Sequence, residues 1–266
     1  MSFQPPPSCI ERTVANLRVA EPDGIVANVI RTAFRLGAIE ILGGASMVHG
    51  FTEWTSRGPS VRLSDGASHA RRRMILAHEC AHLLLDSVFA QDRLKDWGED
   101  YLRRRRRLTD QFVGDALPSL ADEVSARGYE GLCDEVGYEL MLPWREAVRF
   151  AEDVQCVDDA IKAAEDASVS VAAFVCQANR GPRRFALLRL GRSRNGVWLV
   201  TNSVAAPRGW HEGTALAPQS QGELELLSKS QTHMTWTTLE TDSESERLWM
   251  SLRIRGSTGI ALYEPC

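Results

Sequence analysis

His78, Glu79 and His82 occur in the order His-Glu-Cys-Ala-His. Met74, Ile75 and Leu76 precede them, and Leu83, Leu84, Leu85 and Val88 follow. That apolar pattern predicts a buried helix, and residues four apart share a helix face, so both imidazoles can bind one metal ion. Imidazole pairs at this spacing favour zinc in a tetrahedral site. Glu79 sits one position round the helix, where its carboxylate can take a proton from a water and pass it to a leaving amine. The plainer reading is a pair of hydrogen-bonded core histidines. It leaves a charged Glu79 in an apolar helix without a partner, which is costly.

A catalytic zinc needs a third protein ligand and one open position. Downstream, Glu130 and Asp134 lie four apart in Glu-Gly-Leu-Cys-Asp and share a helix face. Taken alone, they read better as part of a solvated acidic face with Glu123, Glu135 and Glu139. Peptide hydrolysis also needs a donor for the developing oxyanion, and His69 and Tyr129 are candidates that spacing does not fix.

These residues require a set of elements to hold them. Ser68 is a candidate N-cap for a helix over 69–89, after a turn at 65–68. A helix over about 25–36 precedes it, then a short strand over 38–42 and a strand pair over 47–63 with a turn at Arg57-Gly-Pro. Residues 90–128 read as charged and irregular, apart from a helix starting at Ser119 and stopping at Gly128. Helices over 129–141, 144–151 and 157–167 follow, with a further short one over 168–179. After Arg180-Gly-Pro182 strands dominate, at 185–190, 197–201, 234–239, 248–254 and 260–263. The expected fold is α+β, a mainly helical domain with a small sheet followed by a β-rich domain. The divisions are 1–19 as a flexible N-terminus, 20–180 as the zinc-binding domain, and 181–266 as a sensory or partner-binding domain.

The run from Arg71 to Leu85, with Glu130-x-Leu-Cys-Asp134 and Glu139-Leu-Met-Leu-Pro143, resembles the gluzincin-like ImmA/IrrE family of metallo-endopeptidases. Residues 164–179 also resemble the helical segment that follows in that family, so the similarity spans roughly residues 20–180. The resemblance implies that Glu130 is the third zinc ligand. It implies that Asp134 accepts the free N–H of a zinc-bound histidine and fixes its tautomer. It further implies cleavage of a specific protein partner, typically a helix-turn-helix repressor, which switches on stress-response or mobile-element genes.

Composition narrows the alternatives. The chain has 266 residues, 44% of them hydrophobic and 25% charged, and a net charge of −4. That balance excludes a disordered chain and a bulk polyanion binder. Arg103 to Arg107 form a basic run, but Asp92, Asp96, Glu99 and Asp100 offset it, so a solvated face is expected and direct nucleic-acid binding is not. Six cysteines without a CxxC pair suggest reduced thiols. No apolar run approaches a membrane span and the N-terminus lacks a signal-peptide pattern, so a soluble cytoplasmic protein is expected. Two other classes remain as rivals, a metal-binding regulatory module without turnover and a nucleic-acid-binding regulator using Arg103 to Arg107.

Overall fold

The computed structural model describes residues 7–18, 27–44, 50–55, 57–90, 98–205, 210, 212–229, 235–241, 244–255 and 257–263. Contacts divide the chain into two units. One comprises Met1–Pro143 with Ala167–Val169, the other Trp144–Asp166 with Ser170–Cys266. The fold is α+β, with a helical N-terminal region and a β-rich C-terminal part. The break expected near residue 180 falls inside the second unit, because the helices before it pack onto the sheet after it.

The first unit opens on α1 (Cys9–Leu17), in the segment expected to be flexible. Its start is a capping box: Ser8 Oγ accepts from the Glu11 amide, and the Glu11 carboxylate accepts from the Ser8 amide. Ile10, Val14 and Leu17 are buried along one face, which anchors the helix. Next come α2 (Val29–Arg35) and a three-stranded sheet of β1 (Glu40–Gly44), β2 (Phe51–Thr55) and β3 (Gly58–Ser64). The strand order is β1-β3-β2, with β1 parallel and β2 antiparallel to β3. An edge strand at β2 therefore flanks the long helix α3 (His69–Phe89).

Helix α3 begins where its cap predicts, with Ser68 Oγ accepting from the Arg71 amide. Leu76, Ala77, Cys80, Ala81 and Leu83–Leu85 are each at most 2% exposed, so its middle is buried on nearly all sides. Beyond it lie α4 (Glu99–Val113), a 3-10 turn at Gly114–Ala116, α5 (Leu117–Arg127) and α6 (Tyr129–Met141). The stretch before Ser119 within residues 90–128, read as irregular, thus contains a four-turn helix. Its buried face is Arg105, Thr109, Phe112 and Val113, at helical spacing but half polar, so apolar periodicity does not reveal it.

Arg105 corrects the solvated-face reading for one residue of the basic run. Its guanidinium is buried, donates to the Leu36 and Leu83 carbonyls, and stacks over the Trp54 ring. The other four arginines of the run are exposed. Gly37, at φ +90 after α2, makes room for it, since a Cβ there would stand 2.8 Å from Arg105 Nη1.

The second unit holds α7 (Trp144–Glu152), α8 (Val157–Asp166) and α9 (Val171–Ala178). An antiparallel sheet follows, made of β4 (Ala186–Arg192), β5 (Trp198–Val204), β6 (Thr235–Thr241), β7 (Glu244–Arg255) and β8 (Thr258–Tyr263). Its order is β5-β4-β8-β7-β6. Leu188, Leu190, Trp198, Val200, Met250 and Leu252 are among the residues that form a core on one face. Helix α10 (Pro218–Lys229), absent from the sequence reading, contributes Leu224 to that core. Gln221 on it holds both the amide and the carbonyl of Trp198. A polar stretch interrupted by Gly222 gives no helical apolar stripe to read. Among the described residues, no helix is long and apolar enough to cross a membrane.

Candidate metal centre

Helix α3 presents His78, His82 and Asp86 on one face, each a turn after the last. His78 Nε2 and His82 Nε2 are 3.0 Å apart. Helix α6 packs across this face. The approach is close at Gly137, where a Cβ would stand 3.1 Å from the His78 backbone nitrogen and 3.2 Å from its Cα. Glycine at this position therefore lets α6 bring its first turn over the imidazoles.

Glu130 lies in that first turn. Its Oε2 is 3.4 Å from His78 Nε2 and 3.3 Å from His82 Nε2. The three atoms form a triangle with sides of 3.0, 3.3 and 3.4 Å. Zinc bonds to nitrogen and oxygen of about 2.0–2.1 Å give a tetrahedron edges of about 3.3–3.4 Å. The donor set and its spacing fit a tetrahedral divalent ion with one position open. His78, Glu79 and His82 also bring their ligand atoms within 4.8 Å of one another, a group that could hold a metal ion.

Carboxylates stand behind both rings. Asp134 Oδ1 is 2.8 Å from His78 Nδ1, and Asp86 Oδ1 is 3.2 Å from His82 Nδ1. Each leaves its histidine's Nε2 facing Glu130, the tautomer a metal needs. Burial lowers the His78 pKa, but the Asp134 hydrogen bond and the charges of Glu79, Asp134 and Glu130 outweigh it and leave the value raised. Four carboxylates around two imidazoles make this a cation-seeking site.

Glu79 is only 4% exposed. Burial raises its pKa, against the opposing hydrogen bond from the Thr52 hydroxyl at 2.7 Å and the nearby histidines. A carboxylate held in this way is a stronger base than one in water. Thr52 is on the edge strand β2, and β2 borders the site with Gly50, Phe51 and Trp54. A hollow of about 260 Å³ lies there, and an adjoining one of about 250 Å³ is bounded by Met74, Ile75 and Tyr138.

The structure sorts the remaining candidates. Arg127 ties up Glu123 at 2.6 Å and Glu135 at 2.9 Å, and Glu139 is buried. The Tyr129 hydroxyl donates to Asp86 at 2.5 Å, and its ring tilts against His82 at 5.5 Å. Tyr129 therefore braces the back of His82. Burial, with Cys133 and Asp86 adjacent, pushes its pKa up. His69 is the exposed first residue of α3, nine residues before His78, or about 13 Å along the axis. It lies away from both hollows. Asp86 is the residue that the sequence reading missed, although its position four after His82 is a legible signal.

No family model matches the chain, and no curated protein matches it. Among solved structures it is similar to one described as a Mycobacterium tuberculosis transcriptional regulator. The identity is 12% and the TM-score 0.49, over 96% of this chain and 74% of that one. A likeness at that level assigns neither family nor activity.

Proposed function

We propose that the chain is a cytoplasmic zinc metallo-endopeptidase of the ImmA/IrrE type that cleaves a specific protein partner, a small helix-turn-helix repressor. The observation that carries this reading is the triangle of His78 Nε2, His82 Nε2 and Glu130 Oε2, with the buried Glu79 carboxylate beside it. His78, His82 and Glu130 would hold zinc, which supplies Lewis-acid polarisation of the scissile carbonyl and of water. Glu79 takes the proton of the attacking water and returns it to the leaving amine. Thr52 holds the Glu79 carboxylate in place meanwhile. Asp134 and Asp86 hold the two imidazoles against rotation.

The edge strand β2 suggests how a substrate lies. Among the described residues β2 is an edge strand, so an extended peptide can add to it and pass the two histidines. A peptide already paired within a helix cannot, so the partner is cut in a linker or a locally unfolded segment.

The test has two arms. The zinc-loaded protein is incubated with a candidate small helix-turn-helix repressor and with an unrelated unfolded protein. A single cut in the repressor alone is expected, and comparable digestion of both proteins refutes a specific partner. In the second arm, Glu79→Gln keeps the metal and loses cleavage, while Glu130→Ala loses metal strongly and Asp134→Ala by about 10–100-fold. Undiminished cleavage by Glu79→Gln overturns the assigned chemistry, and full zinc occupancy in Glu130→Ala removes Glu130 from the ligand set.

A further inference from the structure

The five-stranded sheet has an unusual outer face. The residues opposite its apolar core include Arg189 on β4, Ile260 on β8 and Arg253 on β7, in one row by strand register. The next row holds Gly191, Thr258 and Arg255. Helix α8 is pinned over the far end of this face. The Val157 amide donates to the buried Ser251 hydroxyl, and Asp158 pairs with Arg253 at 3.0 Å. Between the rest of α8 and the arginine rows lies a cleft of about 540 Å³. Its helical wall is Ile161, Glu165 and Val171.

Two of the three arginines, Arg189 and Arg255, have no ion-pair partner among the described residues. Arg189 and Arg253 are two strands apart in one row, roughly 10 Å between Cα atoms, and Arg255 lies two residues along β7 from Arg253, so guanidiniums from both rows can converge on one anion. Like charges gathered this closely repel, and an anion relieves that cost. The Thr258 hydroxyl donates to the Arg255 carbonyl and the Thr201 hydroxyl to the Arg189 carbonyl, which leaves the guanidiniums as the donors facing the cleft. Gly191 adds no side chain to the floor. Ile161, Val171 and Ile260 give the cleft an apolar lining beside the charged rows. The volume suits a small organic molecule and is far too small for a folded partner.

We infer that the second unit binds a small organic anion, a phosphate or carboxylate group carried on an apolar body. The anionic group bridges Arg189 and Arg255, with Arg253 held ready by Asp158. The apolar body lies between Ile260 and the α8 wall. Glu165 in the helical wall discriminates against polyanions, whose further charges it would repel.

The full-length, metal-free protein is titrated calorimetrically with phenyl phosphate, with phthalate, and with benzyl alcohol as the uncharged counterpart. Saturable one-to-one binding of an anion is expected, with little binding of benzyl alcohol. A preference for phenyl phosphate marks a phosphate site, and one for phthalate a carboxylate site. Arg189→Gln with Arg255→Gln should weaken binding about tenfold or more, since each charged hydrogen bond lost is worth that much. Arg194→Gln, a change at an exposed turn residue, should leave binding unchanged. Circular dichroism confirms that the variants fold. Three outcomes overturn the inference: no anion binds, benzyl alcohol binds as well as the anions, or the double variant binds like the parent. The last also covers an anion held instead at the histidine pair.

Discussion

Asp86 lies one turn beyond His82 on the same helix, and its Oδ1 is 3.2 Å from His82 Nδ1. The carboxylate is 1% exposed and also accepts the Tyr129 hydroxyl. Burying it so deeply is costly unless both partners hold it. Asp86→Ala should therefore weaken zinc binding by about 10–100-fold, and Tyr129→Phe by less, because the His82 contact survives. Competition with a chelator of known affinity measures both. Parent-like affinity in Asp86→Ala would show that His82 needs no such support.

Gly137 controls the spacing of α6 on α3. Its missing Cβ would fall 3.1 Å from the His78 backbone, which cannot move aside as a flexible side chain would. Gly137→Ala should push α6 outward by a few tenths of an ångström and carry Glu130 and Asp134 away from the imidazoles. Overpacking of this kind costs about 1–3 kcal/mol. A lowered denaturation midpoint together with weaker zinc binding is the expected result. A change in stability alone would separate the helix contact from the site.

Arg105 ties α4 to the carbonyls of Leu36 and Leu83, the latter next to His82 on α3. Arg105→Met keeps most of the volume but removes the donors to both carbonyls, leaving Leu83 only its helical bond, at a cost of about 2 kcal/mol or more. Arg105→Lys should rescue it poorly, because one ammonium cannot reproduce the fork. Urea denaturation of the three proteins checks the order. Equal midpoints would mean that water replaces the guanidinium.

Cys80 and Cys133 lie inside the two site-forming helices. Burial pushes both thiols well above their ordinary range, and the nearby carboxylates Glu79 and Glu130 add to it. The thiolate is the reactive form, so both should resist alkylation in the folded protein at mildly alkaline pH and react once it is unfolded. Peptide mass spectrometry after a timed pulse of iodoacetamide distinguishes the two states. Rapid native labelling of Cys133 would show that the α3–α6 contact opens readily.

What the sequence determined by itself is local. The spacing of His78, Glu79 and His82, the Ser68 cap and the apolar flanks place two imidazoles and a carboxylate on one buried helix, because helical geometry alone relates residues within a turn. Asp86 was equally within reach of that rule. Tertiary structure decided that Glu130 and Asp134, of five downstream acidic residues, approach the histidines, because that depends on how α6 is rotated and how closely Gly137 lets it lie on α3. It also turned Arg105 inward from a run of five arginines, and turned Tyr129 onto Asp86. A charged or aromatic side chain carries no periodicity that separates a buried, fully bonded role from a solvated one. Its partners are carbonyls and carboxylates far away in the chain, and only the packing of helices brings them together.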